Sequence, residues 1–207
     1  MGIKEKFLDA KARTKGDDVK WKATFMALLG QEFMANGDPL PIIIGGAAVE
    51  LFSFGQYASE DIDIKSKRGR TFSLLAQLGF ESQGTHLWYS EALDILIDWQ
   101  GESFEQDDRG IRQRVLTIKT EDGPLALLPV EELIVDRLCA AKFWQHKDSG
   151  NWAKYLFEIA TEHGIYIDQE FLVRRMRDED VVDIFEKLIT PKASSIAPRK
   201  RENGPKF

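Results

Sequence analysis

From the amino end, apolar positions first settle into a helical period over residues 19–35. In "VKWKATFMALLGQEFMA", Trp21, Phe25, Leu28, Leu29 and Phe33 recur at spacings of three and four, and "NGDP" closes the stripe. The period then changes. "PIIIGG" predicts a short apolar strand running into a glycine turn. "AAVELFSF" predicts a helix, with good helix formers and no breaker before Gly55. "EDIDIK" alternates polar and apolar residues, which predicts a half-buried strand. "TFSLLAQLGF" predicts a short helix with Gly79 as its C-cap. "FESQG", "THLWYS" and "ALDILIDW" predict successive antiparallel strands that turn at Gly84 and Ser90–Glu91. "RQRVLTIKT" and "LALL" fit one more strand or a pair.

After Pro129 the pattern is helical throughout: "PVEELIVDRLCAAKFWQ", "NWAKYLFEIATEHG", "DQEFLVRRMRD" and "EDVVDIFEKLI". Pro129 followed by acidic residues suits the start of a helix and the positive end of its dipole. The expected fold class is α/β (α+β): a mixed sheet flanked by helices, followed by a C-terminal helical bundle. The expected divisions are an N-terminal helical segment (1–37), an α/β core (38–128), a helical region (129–190) and a basic tail (191–207). That tail, "PKASSIAPRKRENGPKF", is rich in Pro, Ser and basic residues and is expected to be disordered.

Composition narrows the function classes. A net charge of −6 argues against a protein whose whole surface grips nucleic acid. The tail and the Arg174-Arg175-Arg177 cluster are local exceptions that would favour RNA. No apolar run approaches the roughly 20 residues needed to cross a bilayer, so no membrane partner is expected. The charged N-terminus lacks the apolar segment of a secretory signal, and Lys6 stands where myristoylation favours Ser or Thr. The single cysteine, Cys139, rules out an internal disulfide framework and is expected to be core. Together these predict a cytoplasmic location.

The chemistry concentrates in "IIIGGAAVELFSFGQYASEDIDIK". Alternation turns Asp61 and Asp63 to one strand face, with Ile62 and Ile64 toward the core. Two close carboxylates repel unless a cation neutralises them, and Mg²⁺ favours oxygen ligands. Gly45-Gly46, between a strand and a helix N-terminus, lets backbone amides approach a phosphate. Cradle and platform together point to phosphoryl or nucleotidyl transfer, which wants a third carboxylate. Asp94 and Asp98 both offer one, on the same face of "ALDILIDW". Asp94 is favoured because it opens the strand, and Asp98 is the second choice. Alone, Gly-Gly is usually a turn and Asp-x-Asp usually solvated surface; their order and flanking periodicity make the combination specific.

The run "GGAAVELF…SEDIDI…LDILID" resembles the polymerase-beta-like nucleotidyltransferase superfamily. Within it, "SEDIDI", "LLPVEELIVDRLCA" and "HKDSGNWAKYLFEIA" look most like small bacterial nucleotidyltransferases of abortive-infection and toxin–antitoxin systems. The resemblance spans roughly residues 40–165. It implies a nucleotidyltransferase-like fold in which Gly45 and Gly46 hold the triphosphate of an NTP substrate. Asp61, Asp63 and Asp94 would bind Mg²⁺, two ions in all, with Asp94 also helping to deprotonate the acceptor.

The toxin-like group carries a basic residue and then an Arg/Lys-Asp pair, for which Arg137, Lys142 and Lys147-Asp148 are the candidates. Asn151 replaces the group's later Asp, Arg137 stands where Lys is commoner, and the glycine-to-aspartate gap is slightly long. By itself Asp148 reads equally as a helix N-cap. Trp88, Trp99, Trp144 and Trp152 could stack a base but are expected in the core. The histidines fall on separate elements and suggest no zinc site.

The function expected is NMP transfer from an NTP to a hydroxyl on tRNA, protein or a small molecule, with a possible antitoxin partner. The alternative is an inactive nucleotidyltransferase-like binding module.

Overall fold

The structure is a computed structural model that describes residues 2–105, 108–146 and 148–189. Nine helices and seven strands are defined among these residues. The basic tail and Lys147 lie outside them.

The predicted elements recur in order. The first apolar stripe is helix α2 (Asp18–Ala35), capped by Asp17, whose side chain accepts from the Lys20 amide. "PIIIGG" gives β1 (Ile42–Ile43) and α3 (Gly45–Phe52), and "EDIDIK" gives β2 (Ile62–Lys65). Helix α4 (Arg68–Leu78) ends at Gly79, whose φ of +83° is the left-handed cap expected of glycine there. Then come β3 (Glu81–Gln83), β4 (Leu87–Ser90) and β5 (Ile95–Trp99). The last two strands are β6 (Leu116–Thr120) and β7 (Gly123–Leu127). Helices α6 (Val130–Phe143), α7 (Ser149–Glu162), α8 (Gln169–Asp178) and α9 (Val182–Ile189) complete the chain.

Two elements have no apolar stripe of their own in the pattern, although α1 falls within the segment expected to be helical (1–37). Helix α1 (Ile3–Arg13) buries only Phe7 and Ala10, too sparse a stripe to stand out among its charges. The short α5 (Asp108–Arg112) buries only Ile111.

The strands form one mixed sheet, in the order β3-β4-β5-β2-β1-β7-β6. Neighbours are antiparallel except β5–β2 and β1–β7, which are parallel. The parallel contact of β1 with β7 accompanies the apolar character of both strands, whose residues Ile42, Ile43, Leu125, Ala126 and Leu127 are buried. In β2 and β5 only one face is buried. Ile62, Ile64, Ile95 and Ile97 are 0–3% exposed, and the residues between them face the other way.

A single cluster of buried residues runs from Phe7 to Phe185, so the N-terminal helices share the core of the sheet. Phe25 sits in its middle, in contact with the rings of Phe7, Trp21 and Phe80. Among the described residues, no helix is long and apolar enough to cross a membrane.

Candidate active site

The less buried face of β2 and β5 carries the candidate residues. Parallel pairing sets Asp63 directly beside Asp98, with Ile62 beside Ile97. Residues paired across a sheet share a face. Together with Asp61, the two form a group whose carboxylate oxygens lie within 4.8 Å of one another, all partly buried. Among the described residues no Lys or Arg pairs with any of the three.

The consequence falls on Asp63. Burial, then the charges of Asp61 and Asp98, raise its carboxyl to about 6, against a bond from the Gly46 amide that lowers it. An arrangement that disfavours its own ionisation near neutral pH suits a divalent cation, and three carboxylates are the hard-oxygen donor set that Mg²⁺ takes.

Asp98 is held at both of its oxygens. His86 Nδ1 lies 2.8 Å from its Oδ1, and Gln100 Nε2 donates to its Oδ2 at 2.6 Å. Neither partner was picked out as functional from the sequence, because both reach Asp98 only through strand pairing and the turn after β5.

Asp94, the favoured third carboxylate, is not in this group. It precedes β5 in a left-handed turn, φ +53°, with its amide donating to Ser90 O at 2.7 Å. Trp21 Nε1 pins the same turn through Leu93 O at 2.9 Å. Three strand residues, Ile95 to Ile97, lie between Asp94 and Asp98, a span of roughly 13 Å in extended chain. Asp94 instead lines a cavity of about 570 Å³ with Lys11, Lys15 and Trp21.

The glycine pair is placed against the carboxylates. Gly45 has φ +56°, and a Cβ there would sit 2.2 Å from Asp63 Oδ2. A Cβ on Gly46 would sit 2.6 Å from Ser59 Oγ. A side chain at either position would force Asp63 or Ser59 to shift, and at Gly45 it would also meet the left-handed backbone. The Gly46 amide bonds to Asp63, so part of the expected phosphate cradle is already serving a carboxylate.

A cleft of about 740 Å³ opens from this point, running from Gly45, Asp63 and Lys65 to Arg137 and Trp144. Arg137 is half-buried and bonded to Asp136 and Tyr57; those partners raise its guanidinium's pKa although burial opposes them. Lys142 does not line the cleft. Its ammonium is held by Asp180 and Asp183, which ties the end of α6 to the α8–α9 junction. Asp148 occupies the N-cap position of α7 without a side-chain capping bond.

Three further expectations change. Trp144 is 70% exposed at the cleft rim rather than core, whereas Trp88, Trp99 and Trp152 pack against the core. Cys139 is half-buried and also lines the cleft, its thiol pushed up to about 11, chiefly by burial. Arg175 is 5% exposed and paired with Glu132, so Arg174-Arg175-Arg177 is not a continuous basic surface.

No family model matches the chain, and no curated protein does. Among solved structures it is similar to the antibiotic-resistance factor ANT(2'')-Ia in its solution structure. That alignment has 17% identity and a TM-score of 0.48, and covers 74% of this chain and 89% of that one. A crystal structure of ANT(2'')-Ia in complex with adenylyl-2''-tobramycin aligns at 16% identity with a TM-score of 0.47. It covers 73% of this chain and 92% of that one. Identity this low leaves the function to be argued from the site.

Proposed function

We propose that the chain is a divalent-cation-dependent nucleotidyltransferase that moves NMP from an NTP to a hydroxyl acceptor, releasing pyrophosphate. The observation that carries this is the gathering of Asp61, Asp63 and Asp98, with no Lys or Arg partner among the described residues, where Asp63 and Gly45 line a cleft. Asp61, Asp63 and Asp98 would hold Mg²⁺, two ions in the form the sequence resemblance implies. Bound there, the metal would polarise phosphoryl oxygens and ease deprotonation of the acceptor.

The chain's own residues supply the rest. His86 and Gln100 fix the two oxygens of Asp98, which takes the role first given to Asp94. Arg137 and Lys65 bring positive charge to the cleft for the triphosphate. Trp144 offers an exposed indole to a base. Lys142, spent on Asp180 and Asp183, is not needed.

The acceptor could be a tRNA 3′ end, a protein side chain or a small hydroxylated antibiotic. A toxin role beside an antitoxin rests on sequence resemblance alone. An inactive binding module would not need to keep three carboxylates in mutual repulsion, a costly arrangement without a ligand.

The test is label transfer from each α-labelled NTP, with Mg²⁺, to total tRNA, candidate proteins and hydroxylated antibiotics. Asp63→Asn and Asp98→Asn serve as controls. Transfer that both substitutions abolish supports the proposal. No transfer to any acceptor, together with no cation-dependent NTP binding, overturns it.

A further inference from the structure

A buried ion pair lies behind the carboxylate group. Lys22 on α2 donates to Glu50 Oε2 on α3 at 2.7 Å, with side chains only 14% and 5% exposed. The Lys22 ammonium also donates to the Ser59 carbonyl, and the Ser59 amide points at the same Glu50 oxygen at 3.4 Å. Ser59 Oγ then donates to Asp61 Oδ1 at 3.2 Å. The backbone of Ser59 is thus held on both its polar groups, and its hydroxyl is aimed at one cation ligand. Gly46 leaves the space this requires, since its missing Cβ would lie 2.6 Å from that hydroxyl.

A buried ion pair is a poor source of net stability, because desolvation offsets its attraction. It is a good way to fix a position, since both charges demand their partners. Ligands to a metal are commonly oriented by such outer contacts. We infer that Lys22, Glu50 and Ser59 form a positioning relay that sets the Asp61 carboxylate for cation binding. Lys22 and Glu50 are positioning residues: they act on Asp61 only through Ser59. The inference rests on the cation site proposed above and extends it to three residues outside that site.

The test is Mn²⁺ affinity, read by electron paramagnetic resonance on the full chain without nucleotide, for five proteins. These are the wild type, Asp63→Asn, Ser59→Ala, Lys22→Met and the Ser59→Ala/Lys22→Met double variant. Ser59→Ala removes one hydroxyl and should still fold, weakening Mn²⁺ binding about tenfold. Lys22→Met should weaken it by a similar factor, and in the double variant it should add almost nothing to the Ser59→Ala loss. General destabilisation would instead make the two losses independent and additive.

If the wild type binds Mn²⁺ and Asp63→Asn does not, but Ser59→Ala matches the wild type within about twofold, the relay is overturned and the cation site stands. Losses that simply multiply in the double variant also overturn the relay. A wild type that binds no Mn²⁺ overturns both. Should Lys22→Met fail to fold, the Ser59→Ala comparison decides.

Discussion

Two charged clusters flank the same cleft, and they are opposites. Around Arg175, Glu132 closes a bidentate pair at 2.6 and 3.2 Å, Glu179 adds 3.1 Å and Asp178 3.6 Å. Every acid there faces the guanidinium. Around Asp63, Asp61 and Asp98 converge; among the described residues His86 is bonded to Asp98, and no Lys or Arg pairs with any of the three. The first cluster satisfies itself and knits α6 to α8, so its purpose is complete within the chain. The second leaves charge uncompensated, which a folded protein tolerates where something else arrives to complete it. Compensation, more than the presence of charge, separates scaffold from site.

The largest expected effect is on the compensated side. Arg175→Ala strands Glu132 among buried residues and should cost about 3–5 kcal/mol. Thermal melting should drop by roughly 10 °C. A drop of only a degree or two would break the distinction, since the self-satisfied cluster would then not be structural.

On the uncompensated side the signs reverse. Asp98→Asn should lower cation affinity by about 10–100-fold while leaving melting unchanged or raised, because it relieves repulsion. Asp94→Asn, measured by the same titration, should stay within about twofold. Equal losses from both would place the site across two cavities instead of one.

A pH series sharpens the contrast further. The Asp63 carboxyl, ordinarily near 3.8, sits at about 6 in the fold. Between those values the folded form binds the extra proton, so this group's contribution to stability falls as pH rises and levels off above about 6. In cation-free protein, Asp63→Asn should therefore melt higher than the wild type at pH 7.5 and nearly alike at pH 4. Added Mg²⁺ should raise wild-type melting more at pH 7.5 than at pH 5.

The smallest effect belongs to Lys142→Ala. Its pairs with Asp180 and Asp183 are compensated like those of Arg175 but face solvent, where ion pairs contribute little. Nucleotide affinity by filter binding should stay within about twofold of wild type. A large loss would return Lys142 to the triphosphate and sharpen the comparison against burial.

These contrasts also mark what the sequence could convey. Alternation in "EDIDIK" reveals which way Asp61 and Asp63 turn, since parity within a strand is local. The same parity cannot choose between Asp94 and Asp98. Both fall on one parity of "ALDILIDW", and only the pairing of β5 with β2, over thirty residues away, aligns Asp98 with Asp63. The partnerships of Arg175 with Glu132 and of Lys22 with Glu50 are invisible for the same reason. They join helices distant in the chain, and single charged residues on helices ordinarily read as solvated. Helix α1 shows no stripe of its own in the pattern because it buries only two residues. For Trp144 aromatic character suggests burial, while its place at the end of α6 decides its exposure.

The side-by-side pairing of Asp63 and Asp98 has a practical corollary for engineering. Main-chain hydrogen bonds set the spacing of these two carboxylates, because adjacent strands lie about 4.8 Å apart whatever side chains they carry. Repacking the core beneath Ile62, Ile64, Ile95 and Ile97 could therefore alter stability over a wide range with the carboxylate spacing intact. Inserting or deleting one residue within residues 95–98 would do the reverse. It would send Asp98 to the opposite face, dismantling the carboxylate group in a protein that could still hold much of its core. The buried isoleucines of this stretch suit a stabilising library, whereas its intolerance of length change makes it a poor place for a linker or tag.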